Sequence, residues 1–391
     1  MENANNVSVK ILLDNQEYFA CNSITCSHAI SQGLAIRTAQ MNFIVPFSSY
    51  IQFAIDMANK QAMLGSVIID DKLYVQGFLN LKMISTEILQ DQAMSISFNI
   101  NDRFFPLFHS EVIKILFFKN HASLQMLMAG ILKELDYLKY SNYPQKRVIA
   151  TDFIKNALNV KNIKLTQNVV KHAVHEKAIT IIDEACSIYK VLLNSNGSDT
   201  LYVEKYDSYL EPVYKINLSF NSRTGNPEFS NVSNVRKIGQ DNNDASKIVV
   251  LNPSINRKKP KVKDKHTSLI VIYEKGLPNI QMVKTINREV TYEGLKNGIN
   301  QSILGLNASA NSYVYQLDGV LYDDNKDFFK PNRSVHVSDE IHLINSKMII
   351  IGSSFSIDAT NGIRTTLNVS FQESFDDNVN AKHKLSTLKK R

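Results

Sequence analysis

The chain has 391 residues with 44% hydrophobic side chains, too long for one compact core and enough for two or three. No apolar run approaches the roughly 20 residues needed to cross a bilayer, and the N-terminal MENANNVSVK has no apolar targeting core, so the sequence reads as a soluble protein made without a signal peptide. Its net charge of +7 is modest, and Cys21, Cys26 and Cys186 fit neither a paired C-x₂-C metal spacing nor a disulfide framework, leaving buried free thiols as the expectation.

Residues 1–112 alternate apolar and polar positions in short runs, the pattern of an antiparallel β unit. Val7, Val9 and Ile11 open it. Tyr18-Phe19, 24–30 and 34–41 follow, with a turn at Gly33, and 67–69 and 73–75 flank Asp70-Asp71-Lys72. In 93–100, Met94, Ile96, Phe98 and Ile100 alternate with Ser95, Ser97 and Asn99. Six or seven such strands predict a small barrel. From Ser123 the spacing becomes helical, with Leu124, Leu127, Met128, Ile131, Leu132 and Leu135 on one stripe. A second helix is predicted over 175–189, with Ala178, Ile181, Ile182, Ala185 and Tyr189 as its core face. Runs 188–193 and 200–204 then flank Asn196-Gly197, a hairpin turn signal, so 113–205 read as an α/β insert.

Alternation resumes at 213–220, with 232–238 as its expected partner across SRTGNPE; both are expected to complete the first barrel, and 188–204 to join the second. Residues 241–306 read as a polar and basic linker followed by a helix over 287–306, in which Gly294, Gly298 and Gly305 each weaken the helix by about 1 kcal/mol relative to Ala. Two basic runs stand out, 257–265 and the tail 382–391. Both read as solvated segments, since no aromatic residues are interleaved to stack on bases. Residues 307–375 form the last β unit, and 376–391 a basic tail.

Within that unit, 348–375 is the strongest hairpin signal. Ile349, Ile351, Phe355 and Ile357 share one parity before Asn361-Gly362, and Ile363, Leu367, Val369 and Phe371 share one after it. Opposed residues in a ladder share a face, so the connection must have an odd number of residues: three (360–362) or five (358–362), with Gly362 at positive φ. The hairpin is expected to bury one face.

No catalytic, cofactor-binding or metal-ligating residue is assigned. His172, His175 and Glu176 in HAVHE place the histidines at i and i+3, whereas a zinc protease helix needs H-E-x-x-H. Asp323-Asp324 with Asp327, and Asp339-Glu340, are acidic pairs in turn-like sequence. There is no G-x-S-x-G and no phosphate-binding loop, and Gly294 and Gly298 lack a following Lys-Ser or Lys-Thr. These patterns point away from an enzyme.

The order of elements resembles the phage Mu-like baseplate hub proteins. The closing segment carries the likeness: Pro331, Val335, Val337 and Asp339, then the strand from Met348 to Ile351, then Gly362, Arg364 and Thr365 in a G-x-R-T hairpin. The opening VSVKILLDNQEYFACNSITCSHAI is also similar. The resemblance implies an α+β, mainly β fold, with two tail-tube-like antiparallel β barrels and an α/β insert. It further implies a homotrimeric hub in the baseplate of a contractile tail or related injection particle, in which three chains offer six barrels between a threefold spike and a sixfold tail tube. Implied partners are the central spike, the tail tube and other baseplate or tape-measure components, and the implied location is the virion tail. No cofactor is implied, and nucleic acid only passes through the channel. The competing readings are a tail-associated cell-wall hydrolase and a nucleic-acid-binding module.

Overall fold

The computed structural model describes residues 7–17, 21–31, 33–58, 62–80, 84–89, 93–112, 131, 147–150, 176–189, 191–205, 211–220, 224, 227–229, 231–238, 245–251, 268–272, 277–285, 312–358, 361–371 and 382–385. The fold is mainly β and mostly antiparallel. The expected helices over 123–135 and 287–306 and the basic run 257–265 lie outside the described residues, except Ile131, which is buried.

The first unit contains β1 (Val9–Leu13), β2 (Ser23–Ser31), β3 (Leu34–Pro46), helix α1 (Phe47–Ala58), β4 (Ala62–Ile69), β5 (Lys72–Asn80), β6 (Ser85–Ile88) and β7 (Ala93–Asp102). Antiparallel ladders join β1 to β4, β4 to β5, β5 and β6 to β7, β7 to β3 and β3 to β2. Ile69 pairs with Lys72, so the turn is the two residues Asp70 and Asp71, both at positive φ, which matches the right-handed twist of the strands. Helix α1 was not foreseen. It follows Pro46 and seals the core with Phe53 and Met57, one turn apart.

The insert begins after a 3₁₀ turn at Phe105–Phe108, with β8 (Glu111–Val112), β9 (Arg147–Ala150), β10 (Glu176–Lys177), helix α2 (Ala178–Tyr189), β11 (Val191–Ser195) and β12 (Thr200–Lys205). Ala178, Ile179, Ile181, Ile182 and Cys186 of α2 pack with Leu34, Phe104, Leu107, Val191, Leu193, Leu201 and Val203 in a core of their own. The β11 strand pairs in parallel with β3.

The second unit contains β13 (Lys215–Phe220), β14 (Pro227–Phe229) and β15 (Asn234–Ile238). A separate four-stranded sheet follows, with β16 (Ala245–Leu251), β17 (Ser268–Ile272) and β18 (Leu277–Thr285), before β19 (Ser312–Asp318), β20 (Ser334–Asp339), β21 (Ile344–Asp358) and β22 (Gly362–Phe371) complete the unit. The last strand, β23 (Lys382–Leu385), returns to the separate sheet, where it pairs with β17.

Three expectations change. Residues 213–238 do not complete the first unit: β13 pairs with β20 and β15 with β19, while the 191–205 hairpin joins the first unit through β3. Nor does β15 partner β13, whose hairpin mate is β14. Alternation alone marks a strand without naming its neighbour. The third change concerns the linker and tail: the β-branched runs KIVVL and SLIVI form strands, and Lys382–Leu385 is a strand as well.

The closing hairpin has the predicted odd connection. Ile357 pairs with Ile363, the register of the five-residue loop, and the further pair Asp358–Gly362 leaves three residues between the strands. Gly362 has φ +72°, and the Asp358 carboxylate accepts the Asn361 N–H at 2.9 Å. One side of the hairpin serves both cores, as expected, but Ile349 and Ile351 are not on it: Met348, Ile350, Phe355 and Ile357 oppose Phe371, Val369, Thr365 and Ile363. The register shifts between Ile350 and Gly352, so buried parity switches along β21. Met348 and Ile350 face the second core with Leu367 and Val369, whereas Phe355 and Ile363 lie in the first core, with Ile357 packed against it. Pairing of β2 with residues 352–358 of β21 makes the sheet continuous across both units.

Candidate functional site

The acidic pairs singled out in the sequence are structural. The Asp323 carboxylate accepts the Asn325 and Asp327 N–H groups at 3.0 and 2.9 Å and closes a turn, while Asp327 pairs with Lys330 at 3.0 Å. Asp339 is buried and accepts the Tyr315 hydroxyl at 2.7 Å and the His342 N–H at 3.0 Å, with the His342 ring nitrogen Nδ1 also 2.7 Å away. Burial and this carboxylate hold the Tyr315 phenol protonated far above its ordinary range. Glu176 begins β10, and His172 and His175 lie outside the described residues. Cys26 and Cys186 are buried free thiols; Cys21 is half-buried, and burial pushes its pKa to about 11.

A second set of polar residues is buried where the two units and the insert meet. On β2, β3 and β7 the buried phase ends in polar side chains: Ile24 and Cys26 are followed by His28, Ala39 and Met41 are preceded by Arg37, and Phe98 and Ile100 are followed by Asp102. The Arg37 guanidinium donates to the Tyr74 carbonyl at 2.8 Å and lies 5.2 Å from the centroid of its ring. Asp102 accepts the Ser195 hydroxyl and the Phe104 N–H, and burial raises its pKa to about 6 against those hydrogen bonds. Gly197, in the β11–β12 turn, has φ +84°, and a Cβ there would stand 2.1 Å from the Tyr74 carbonyl oxygen. Only glycine lets this turn seat on β5.

From the insert side, Glu204 reaches into the second unit. Its carboxylate accepts from Asn194 and Asn332 at 3.2 Å each and pairs with Arg333 at 3.3 Å. The seam therefore joins all three parts through hydrogen bonds, many of them charge-assisted. Its members were missed in the sequence because no motif unites them, yet a legible signal existed: each of His28, Arg37 and Asp102 sits in the buried phase of its strand, where an apolar residue belongs.

On the outside, α1 carries Phe47, Ile51 and Ile55 at i, i+4 and i+8, all exposed, and Ile44 and Ile88 are exposed nearby in the sheet sequence. The stripe lies opposite the buried Phe53 and Met57 face. Such surfaces usually mark contacts with other chains. No helix among the described residues is long and apolar enough to cross a membrane.

No protein-family model and no curated protein matches the chain. Solved structures do. It is similar to the 43 kDa tail protein of prophage MuSo2 from Shewanella oneidensis, with a TM-score of 0.68, 14% identity, and coverage of 95% of this chain and 100% of that one. A tail protein from Neisseria meningitidis MC58 aligns with a TM-score of 0.67, 12% identity, and 93% and 96% coverage. A prophage tail protein from Listeria monocytogenes EGD-e aligns with a TM-score of 0.51 and 11% identity over 92% and 94% of the chains. At these identities the likeness is one of fold, and the mainly β chain described above has the fold of these tail proteins.

Proposed function

We propose that this chain is a structural component of a phage tail or phage-tail-like particle, and within it the baseplate hub. In this reading it is a homotrimeric ring joining a sixfold tail tube to a threefold central spike, located in the virion tail and without enzymatic activity. The observation that carries the reading is the end-to-end match to the MuSo2 tail protein, which leaves almost no part of either chain unaligned. Two antiparallel β units per chain fit it, since three copies place six units around one axis. The exposed apolar stripe of α1 is consistent with a surface covered in an assembly.

Mass photometry of the purified chain tests the proposal: trimers are expected, and monomer alone over a wide concentration range counts against it. Ile51→Lys combined with Ile55→Lys adds charge to an exposed face, so it is expected to leave the circular dichroism spectrum unchanged and to shift the distribution toward monomer. Electron microscopy of the assembled particle locates the role, with density for this chain expected as a ring between spike and tube.

A further inference from the structure

The joint between the two β units is the stretch where β2 pairs with residues 352–358 of β21. His28 stands in that ladder, opposed to Arg37 of β3 on one side and Ser353 of β21 on the other. Its side chain is 1% exposed, and neither ring nitrogen makes a hydrogen bond of ordinary geometry. The Ser353 hydroxyl is committed elsewhere, donating to the Phe329 carbonyl at 2.7 Å.

The charged and titratable groups around the ring come from every element of the seam. Arg37 on β3 is the nearest cation in effect, and Lys330 and Arg333, from the segment before β20, add positive charge. Asn194 of β11 is the polar neighbour that favours the protonated ring. Arg37 in turn feels Tyr74, Asp102, Asp327 and Cys26. The negative groups have other partners: Glu204 holds Arg333, Asp327 holds Lys330, and Asp102 is held by Ser195 and the Phe104 N–H. Among the described residues, these carboxylates are already engaged and none of them pairs with the His28 ring. A proton on His28 would add a buried, unpaired charge beside a guanidinium.

We infer that His28 makes the joint between the two β units acid-sensitive: the closed joint accepts only the neutral ring, and the protonated ring is accommodated by opening the β2–β21 ladder. Desolvation, reinforced by Arg37, holds the ring's pKa well below its ordinary value in the closed state. The open state therefore takes up a proton that the closed state refuses as pH falls through about 6.5, so closure is strongest above that pH and weakens below it. Asp102 acts in the opposite sense: its carboxyl, raised to about 6, is protonated in the closed state, which favours closure between pH 6 and its ordinary range. The His28 contribution is therefore read as a difference between wild type and variant. This inference is independent of the proposed assembly.

The test is hydrogen exchange with mass spectrometry on the full chain at pH 7.5 and 5.5, corrected for intrinsic exchange, for wild type, His28→Gln and His28→Phe. Between pH 7.5 and 5.5 the opening constant of the β2–β21 ladder is expected to rise about tenfold more in wild type than in the variants, the ratio set by a group of ordinary pKa near 6.5 in the open state alone. Whichever variant folds supplies the reference, in which only the opposing response of Asp102 and the other groups remains. A long-range nitrogen-proton NMR titration of the wild-type His28 ring needs no variant, and is expected to show the ring neutral to at least pH 5.5 while the ladder is closed. An equal acid response in wild type and variants overturns the inference, as does protonation near pH 6.5 with the ladder still protected.

Discussion

Tyr315, Asp339 and His342 show what a buried polar group does here. Removing the Asp339 carboxylate strands the Tyr315 hydroxyl and the His342 N–H together, so Asp339→Ala is expected to destabilise the fold by about 2–4 kcal/mol. Tyr315→Phe removes one partner and is expected to cost about 1 kcal/mol. Urea unfolding of both variants measures the difference, and equal effects would contradict the shared-acceptor geometry. Asp339 was legible in sequence as an acidic residue in a turn, yet its role depends on a tyrosine 24 positions earlier. The seam residues were less visible, because Glu204, Asn194 and Arg333 meet only after three separate parts of the chain have folded.

At the scale of elements, strand alternation in β1–β5, β7, β19, β20 and the closing hairpin was readable from the sequence. The odd loop was readable too, because parity is a local constraint. Two features escaped. The α1 helix puts apolar residues on both sides, Phe53 and Met57 inward and Phe47, Ile51 and Ile55 outward, which blurs its period. The bulge at Ile351 escaped because both the odd and even positions of β21 around it are apolar. Ile351 is the extra residue, so deleting it leaves the β21–β22 pairs running one to one, with Met348, Ile350, Phe355 and Ile357 still on the side of Leu367 and Val369. The deletion is expected to keep the native near-ultraviolet circular dichroism signal, and its loss would contradict the assignment of Ile351 as the extra residue. Leu367→Asp places a charge in a site with no exposure and is expected to prevent folding, with soluble native protein as the contrary result. Phe371→Asp is milder, since that ring is only partly buried and meets Tyr313 edge-on at 5.9 Å.

For the whole molecule, the two-unit architecture was legible, but the way it is wired was not. Which hairpin joins which unit is decided by pairings such as β3 with β11 and β13 with β20, both parallel and distant in sequence. Sharing β21 and β22 between two cores couples them. Calorimetry is therefore expected to show the two β units melting together, and two well-separated transitions, one per unit, would contradict that coupling.

The shared strand also fixes an order of events during synthesis. The first core includes Leu321, Phe328, Phe355 and Ile363, and the edge of β2 stays open until residues 352–358 arrive. A nascent chain that has emerged only through the insert has all of β1–β7 and still lacks part of its first core. Domains of many proteins fold one after another as they leave the ribosome. This N-terminal unit must wait for the far end of the chain, with β2 an unpaired edge in the meantime and a ready target for a chaperone or another nascent copy.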